Sequence, residues 1–172
     1  MDTPLRKQTI FNHFEQIAEN YSQYRKRFSY YGNDIINYLN FFLQNNCSIL
    51  EIGCGYGETI AHLKGKEKVG IDVSPKMIAL AKSKYTDVDF YVMDAENISL
   101  DKKFDVIIFN NIIGYLDNIQ DVFYAIKKNC HEHTRIIISY YNHYWEPILK
   151  VGETLGYKIK SPQQNWLDSG DI

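Results

Sequence analysis

The chain has 172 residues, 45% hydrophobic and 23% charged, with 19 Lys plus Arg against 21 Asp plus Glu for a formal net charge of -2. Such a length fits one domain, because domains run roughly 100–200 residues and one this size buries about two thirds of its unfolded surface. Disorder and collagen-like repetition are excluded, a phosphate-neutralising nucleic-acid binder is disfavoured, and neither a membrane span nor a secretory signal is written, so a cytoplasmic protein is expected.

Apolar residues at Ile10, Phe11, Phe14, Ile17, Ala18, Tyr21 and Tyr24 form one stripe at helical spacing, predicting an amphipathic helix over Thr9 to Tyr24. A second helix is predicted from Asp34 to Gln44. The period then changes: Cys47 to Ile52 is a short apolar run ended by glycines, the form of a strand buried in a parallel sheet. Lys68 to Asp72, Val88 to Met93, Phe104 to Phe109 and Arg135 to Tyr140 share that form. Helices are predicted between them at Glu58 to Leu63, at Pro75 to Lys84 with Ser74 as N-cap, and at Ile119 to Asn129. Ala95 to Lys103 reads as loop or turn. Strand and helix alternate as in an α/β doubly wound, mostly parallel sheet, whose right-handed crossovers cover both faces.

Such sheets bind ligands beyond the carboxyl ends of their strands, near the point where strand order reverses. After the first strand stands Glu51-Ile52-Gly53-Cys54-Gly55-Tyr56-Gly57. Alternate glycines let the backbone adopt conformations closed to other residues and let a ligand approach without Cβ atoms in the way. A dinucleotide fold would instead carry Gly-x-Gly-x-x-Gly, and its third glycine falls here on Glu58, whose carboxylate would repel a pyrophosphate. Asp72, ending the second strand, can accept both hydroxyls of a ribose; a solvated strand-end carboxylate is the plainer alternative. Asp94, ending the third, can accept from an exocyclic adenine amine. Together they suit a phosphate-free adenine nucleoside. The three cysteines (Cys47, Cys54, Cys130) are odd in number and far apart, which supports neither a disulfide framework nor a metal site.

Glu51 to Gly57, Ile71 to Met77, Asp94-Ala95 and Phe104 to Asn110 resemble, in order and spacing, the motifs of class I S-adenosylmethionine-dependent methyltransferases of the small-molecule, type 11-like kind. The resemblance runs from about Phe11 to Tyr140. It implies that Gly53, Gly55 and Gly57, with the adjoining Cys54, lie against the methionyl part of S-adenosyl-L-methionine, with Glu51 supporting the loop. It also implies that Asp72 takes the ribose hydroxyls, Val73 and Met77 flank the adenine, and Asp94 with Ala95 holds its edge. Asn110 would lie near the sulfonium and amino-acid end, with Asn111 toward the substrate. Tyr21, Tyr24 and Arg25 would belong to an N-terminal helical cap over the cofactor, although packing explains the two tyrosines equally well.

With the methyl already activated by the sulfonium, positioning of a nucleophile is the main requirement, and a base is needed only if the acceptor must lose a proton. His143, Tyr141 and Tyr115, beyond strand ends, are the candidates for a base or acceptor-orienting group, each also explained as a surface or packing residue. No nucleobase-methylating Asn-Pro-Pro-Tyr follows the fourth strand, so a small-molecule or glycan acceptor is expected rather than DNA or RNA. Ser161 to Leu167 resembles a segment of a subgroup associated with glycosyltransferases. A non-catalytic cofactor-binding module and, third, a nicotinamide oxidoreductase remain as alternatives. One domain over 1–172 is expected, with a helical cap (1–45), a cofactor-binding core (46–142) and an incomplete C-terminal part (143–172). The last strand hairpin of the Rossmann-like fold is expected to be missing, Leu155 to Ile159 offering a short extended piece and Leu167 to Ile172 the start of a helix.

Overall fold

The computed structural model describes residues 3–27, 29–140, 143–155, 157, 160 and 162, the side chains of 3, 4, 19–27, 29 and 143 excepted. Two helices open the chain, α1 (Thr3–Arg27) and α2 (Ser29–Phe42). Then follow β1 (Ser48–Ile52), α3 (Glu58–Ala61), β2 (Glu67–Asp72), α4 (Pro75–Lys84), β3 (Asp89–Val92), β4 (Phe104–Asn110), α5 (Ile119–Ile126), β5 (Cys130–Ser139) and α6 (Glu146–Thr154).

The five strands form one sheet in the order β3-β2-β1-β4-β5. Every pairing is parallel, with Ile52 opposite both Ile71 and Phe109, and Asn110 opposite Ser139. The order reverses between β1 and β4, which opens a crevice beyond Ile52 and Phe109.

Period-two side-chain alternation along β1 and β4 builds a core on each face of the sheet. Ile49, Val106 and Ile108 pack with Leu39 of α2 and Leu43 just after it, Ile60 of α3 and Ile78 and Ala81 of α4. Leu50, Ile52, Ile107 and Phe109 pack with Val122 and Ile126 of α5. Side chains 106–109 have no solvent exposure at all, which explains why these strands read as unbroken apolar runs. The doubly wound α/β arrangement expected from the sequence is present.

Local signals set the helix starts. Ser74 adopts an extended conformation and its Oγ accepts from the Met77 amide at 3.2 Å, with Pro75 filling the first helical position. Asn118 caps α5 by accepting from the Gln120 and Asp121 amides.

The structure departs from expectation in several places. α1 starts at Thr3 rather than Thr9, α2 at Ser29 rather than Asp34, β5 at Cys130 rather than Arg135, and Glu146–Thr154 forms a helix. Pro147 near its start and an apolar series at Ile148, Val151 and Leu155 carry that helix signal. Leu155 closes α6 where an extended piece was expected; Gly156, Lys158 and Ile159, like the segment from Leu167 to Ile172, lie outside the described residues. Among the described residues, no helix is long and apolar enough to cross a membrane.

Candidate functional site

The loop after β1 turns back on the neighbouring strand. The amides of Gly53 and Cys54 both donate to the Ile71 carbonyl, at 2.8 and 3.0 Å, which folds the loop over the end of β2. Gly53, Gly55 and Gly57 all have positive φ, at 70°, 54° and 81°. At Gly53 a Cβ would lie 1.9 Å from Cδ1 of Ile112, so that glycine admits a close neighbour. At Gly55 a Cβ would meet nothing within 4 Å, and the half-buried backbone there forms an open cradle.

Two carboxylates hold the loop. Glu51 is buried within β1 and accepts from the Ile60 amide at 3.2 Å, tying the strand to α3. Asp72 accepts from the Gly55 amide and from the Ser74 amide, both at 2.9 Å. Burial pushes the Asp72 carboxyl above the ordinary aspartate value, against the lowering effect of those two amides. Cys54 is buried in the same loop, and burial, then the charges of Asp72 and Glu51, push its thiol well above the usual range. A thiol so raised is a packing group rather than a nucleophile.

Val73 is half-buried directly after β2. Met77 is buried with Tyr56 and Ala18, so α1 packs on the glycine loop and α4 together. Asp94 lies beyond β3, where one carboxylate oxygen accepts from the Glu96 amide at 3.0 Å and the other pairs with Lys7 of α1 at 2.5 Å. Ala95 packs against the apolar cluster on the α5 face.

After β4, the Asn111 amide donates to the Ser139 carbonyl at 2.8 Å, and Asn111 takes φ 55°. Asn110 joins three elements: its Nδ2 donates to Thr59 Oγ1 at 3.2 Å, and its Oδ1 accepts from Ser139 Oγ at 2.6 Å and from Asn111 Nδ2 at 3.2 Å. The Oδ1 of Asn111 is buried with no hydrogen-bond partner.

The first half of α1 lies over these loops. Glu15 Oε1 accepts from Ser74 Oγ at 2.5 Å and from the Lys76 amide at 3.0 Å. Lys7 bridges Asp94 and Glu96. Arg6 donates to the Gly114 and Leu116 carbonyls at 2.9 and 3.1 Å and pairs with Asp117 at 2.6 Å. Phe14 meets the Tyr115 ring edge-on at 5.4 Å, so Tyr115 takes part in packing beneath α1. The side chains of Tyr21, Tyr24, Arg25 and His143, and the whole of Tyr141, lie outside the described residues. Among the described residues no group of three or more His, Cys, Asp or Glu could hold a metal ion.

The glycine loop, Asp72, Asp94 and Asn110 thus gather at the carboxyl ends of β1 to β4, around the reversal of strand order. Arg6, Lys7, Glu15, Thr59 and Ser139 join them without having been singled out in the sequence. A signal existed for Arg6: it stands four residues before Ile10 and eight before Phe14, on the same helical stripe. A charge on a buried stripe requires a partner.

Residues 43–167 match the methyltransferase-domain family. The malonyl-[acyl-carrier protein] O-methyltransferase of Priestia megaterium is 33% identical over 132 residues, covering 72% of this chain and 47% of that protein. The chain spans about half the length of the curated relatives it matches. A crystal structure of an S-adenosylmethionine-dependent methyltransferase from Thermotoga maritima superposes with a TM-score of 0.78 at 16% identity, covering 94% of this chain and 76% of that one. The plantazolicin methyltransferase BpumL, solved with S-adenosylhomocysteine, gives 0.60 at 22% identity, covering 83% and 56%.

Proposed function

The chain belongs to the methyltransferase-domain family, and from that premise we propose that it binds S-adenosylmethionine over the glycine loop and directs its methyl group to a small-molecule or glycan acceptor. The single observation that carries this reading is the open backbone at Gly55, whose amide donates to the half-buried Asp72 carboxylate. The bound cofactor supplies a methyl group already activated for transfer by the neighbouring sulfonium.

The chain's own residues then bind and orient. Asp72, fixed by two amides, keeps further lone pairs for the ribose hydroxyls, since an ionised carboxylate has about four acceptor sites. Val73 and Met77 border the adenine. Asp94 offers its edge to the adenine amine and must share it with Lys7. Phe14, Ile17 and Ala18 of α1, packed with Tyr56 and Met77, keep water from the loop. Held in line, an acceptor nucleophile gains several kcal/mol or more from orientation alone. A base is needed only for an acceptor that must lose a proton; Tyr115, His143 and Tyr141 are the groups to test.

The relatives named above are a malonyl-[acyl-carrier protein] O-methyltransferase and a plantazolicin methyltransferase, which supports a non-nucleic-acid acceptor. The near-neutral charge supports the same choice. Calorimetry with S-adenosylhomocysteine should show micromolar binding that Asp72→Ala weakens at least tenfold; no binding by the wild type would reject the proposal. A radiolabelled methyl donor offered with small-molecule, glycan and carrier-protein acceptors then separates an enzyme from a module that only binds.

A further inference from the structure

α4 is capped from two places in the chain. Its first turn contains no acidic residue, although a helix N-terminus presents unpaired amides and favours negative charge. Pro75 has no amide hydrogen, the Met77 amide goes to Ser74 Oγ at 3.2 Å, and the Ile78 amide goes to the Ser74 carbonyl at 3.1 Å. The Lys76 amide is left, and Glu15 of α1 accepts it at 3.0 Å.

The same Glu15 oxygen meets Ser74 Oγ at 2.5 Å. Against the raising effect of burial, the Ser74 hydroxyl and then the amide and charge of Lys76 hold the Glu15 carboxyl below the ordinary glutamate value. Glu15 is therefore ionised at neutral pH and can only accept, so the Ser74 proton points to α1. Ser74 has no solvent exposure, and its amide donates to one oxygen of Asp72 at 2.9 Å while the other Asp72 oxygen accepts from the Gly55 amide. A continuous line of hydrogen bonds thus runs from α1 through Ser74 and Asp72 to the glycine loop. Capping alone does not call for a carboxylate here, because an uncharged acceptor would serve α4 without opposing Asp72. Burial, and to a smaller extent the charge of Glu15, pushes the Asp72 carboxyl up.

We propose that Glu15 is a positioning residue for the nucleoside, which acts through Ser74 to fix the direction of the Asp72 carboxylate toward the ribose hydroxyls. The inference rests on the methyltransferase reading of Asp72. Its basis is geometric: hydrogen bonds weaken steeply off line, and a binding group holds its angle only when the groups behind it are themselves locked. Releasing Glu15 frees the Ser74 hydroxyl, and with it the amide that orients Asp72.

Calorimetry with S-adenosylhomocysteine and its 2′,3′-dideoxy analogue tests this on the wild type and three variants. The wild type should prefer the hydroxylated ligand by about 10- to 100-fold, the usual worth of a hydrogen bond to a charged group. Glu15→Ala should bring that preference below about threefold while binding the dideoxy analogue within about twofold of wild type. Glu15→Gln, whose carboxamide oxygen accepts from the same two donors, should keep the preference. Glu15→Asp, which keeps the charge but loses one methylene of reach, should lose it, and it stands in for the alanine variant if that one does not fold. Equal weakening of both ligands by Glu15→Ala would reduce Glu15 to a cap of α4 and overturn the proposal, as would a glutamine variant that behaves like alanine. A wild type that binds both ligands equally overturns it without any variant, whereas one that binds neither rejects the methyltransferase reading itself.

Discussion

Substituting alanine at Gly53 and at Gly55 separates space from backbone conformation within one loop. Both positions have positive φ, so each alanine costs about 1–2 kcal/mol of conformational strain. Only at Gly53 does the new Cβ collide, with Ile112 Cδ1 at 1.9 Å and Cγ1 at 2.9 Å, adding an overpacking cost of about 1–3 kcal/mol. Gly53→Ala should thus lose about 2–5 kcal/mol and Gly55→Ala about 1–2. At about 2–4 °C per kcal/mol for a domain of this size, thermal melts should fall by roughly 4–20 °C and roughly 2–8 °C respectively. Ligand binding should invert the order of interest: Gly55→Ala fills the open cradle and should abolish S-adenosylhomocysteine binding while the fold survives. Combining Gly53→Ala with Ile112→Ala should recover the collision part but not the strain, giving a favourable coupling of about 1–3 kcal/mol in a double-mutant cycle. Equal melts for the two single variants, or a coupling near zero, would refute the steric assignment.

Three more outcomes are expected. Arg6→Met leaves Asp117 buried and unpaired beneath α1, a loss of about 3–5 kcal/mol, and should be read as a lower melting temperature together with faster amide exchange in the first turns of α1; unchanged exchange there would refute it. Asp105 is held below the ordinary carboxylate value by the amide and hydroxyl of Ser48 and by His131. Its folded form therefore binds fewer protons than the unfolded chain, so its stabilisation is complete above the unfolded value and is lost as pH falls through the folded one. The melting gap between wild type and Asp105→Asn should accordingly hold from neutral pH down to about pH 4 and narrow as the pH falls further, and a gap that stays constant below about pH 4 would contradict the assignment. Cys54, buried and with its thiol pushed up, should resist alkylation by iodoacetamide at pH 8 until the protein is unfolded; mass spectrometry showing rapid native labelling would count against it.

Most of the fold is legible because β1, β2 and β4 are buried on both faces and so read as continuous apolar runs between capped helices. The glycine loop and Asp72 are legible for a related reason: strand ends in such sheets face one crevice, and glycines at alternate positions have few other uses there. The polar bridges from α1 were less accessible. Lys7, Glu15 and Arg6 find partners 59 to 111 residues away in sequence, a separation across which periodicity carries no information. Asn110 and Asn111 are told apart in the sequence only by the resemblance, which sets Asn110 near the sulfonium and Asn111 toward the substrate. What distinguishes them is that Ser139 and Thr59 saturate one and leave the other with a free oxygen, a property of packing rather than of either residue. The helix at Glu146–Thr154 was missed because its exposed apolar series lacks the buried face on which the other helices were recognised.

The attachment of α1 has a kinetic consequence. Its ties run separately to the loops after β2, β3 and β4, so no single loop can relax outward while the first turns of the helix remain docked. In the proposed placement of the cofactor, Asp94 borders the adenine, and its ion pair with Lys7 makes exchange of partners at Asp94 part of any entry or exit by that route. Residence time of a bound nucleoside would then follow how often two turns of helix fray rather than how tightly the glycine loop grips, and it should shorten with ionic strength even where equilibrium affinity hardly changes.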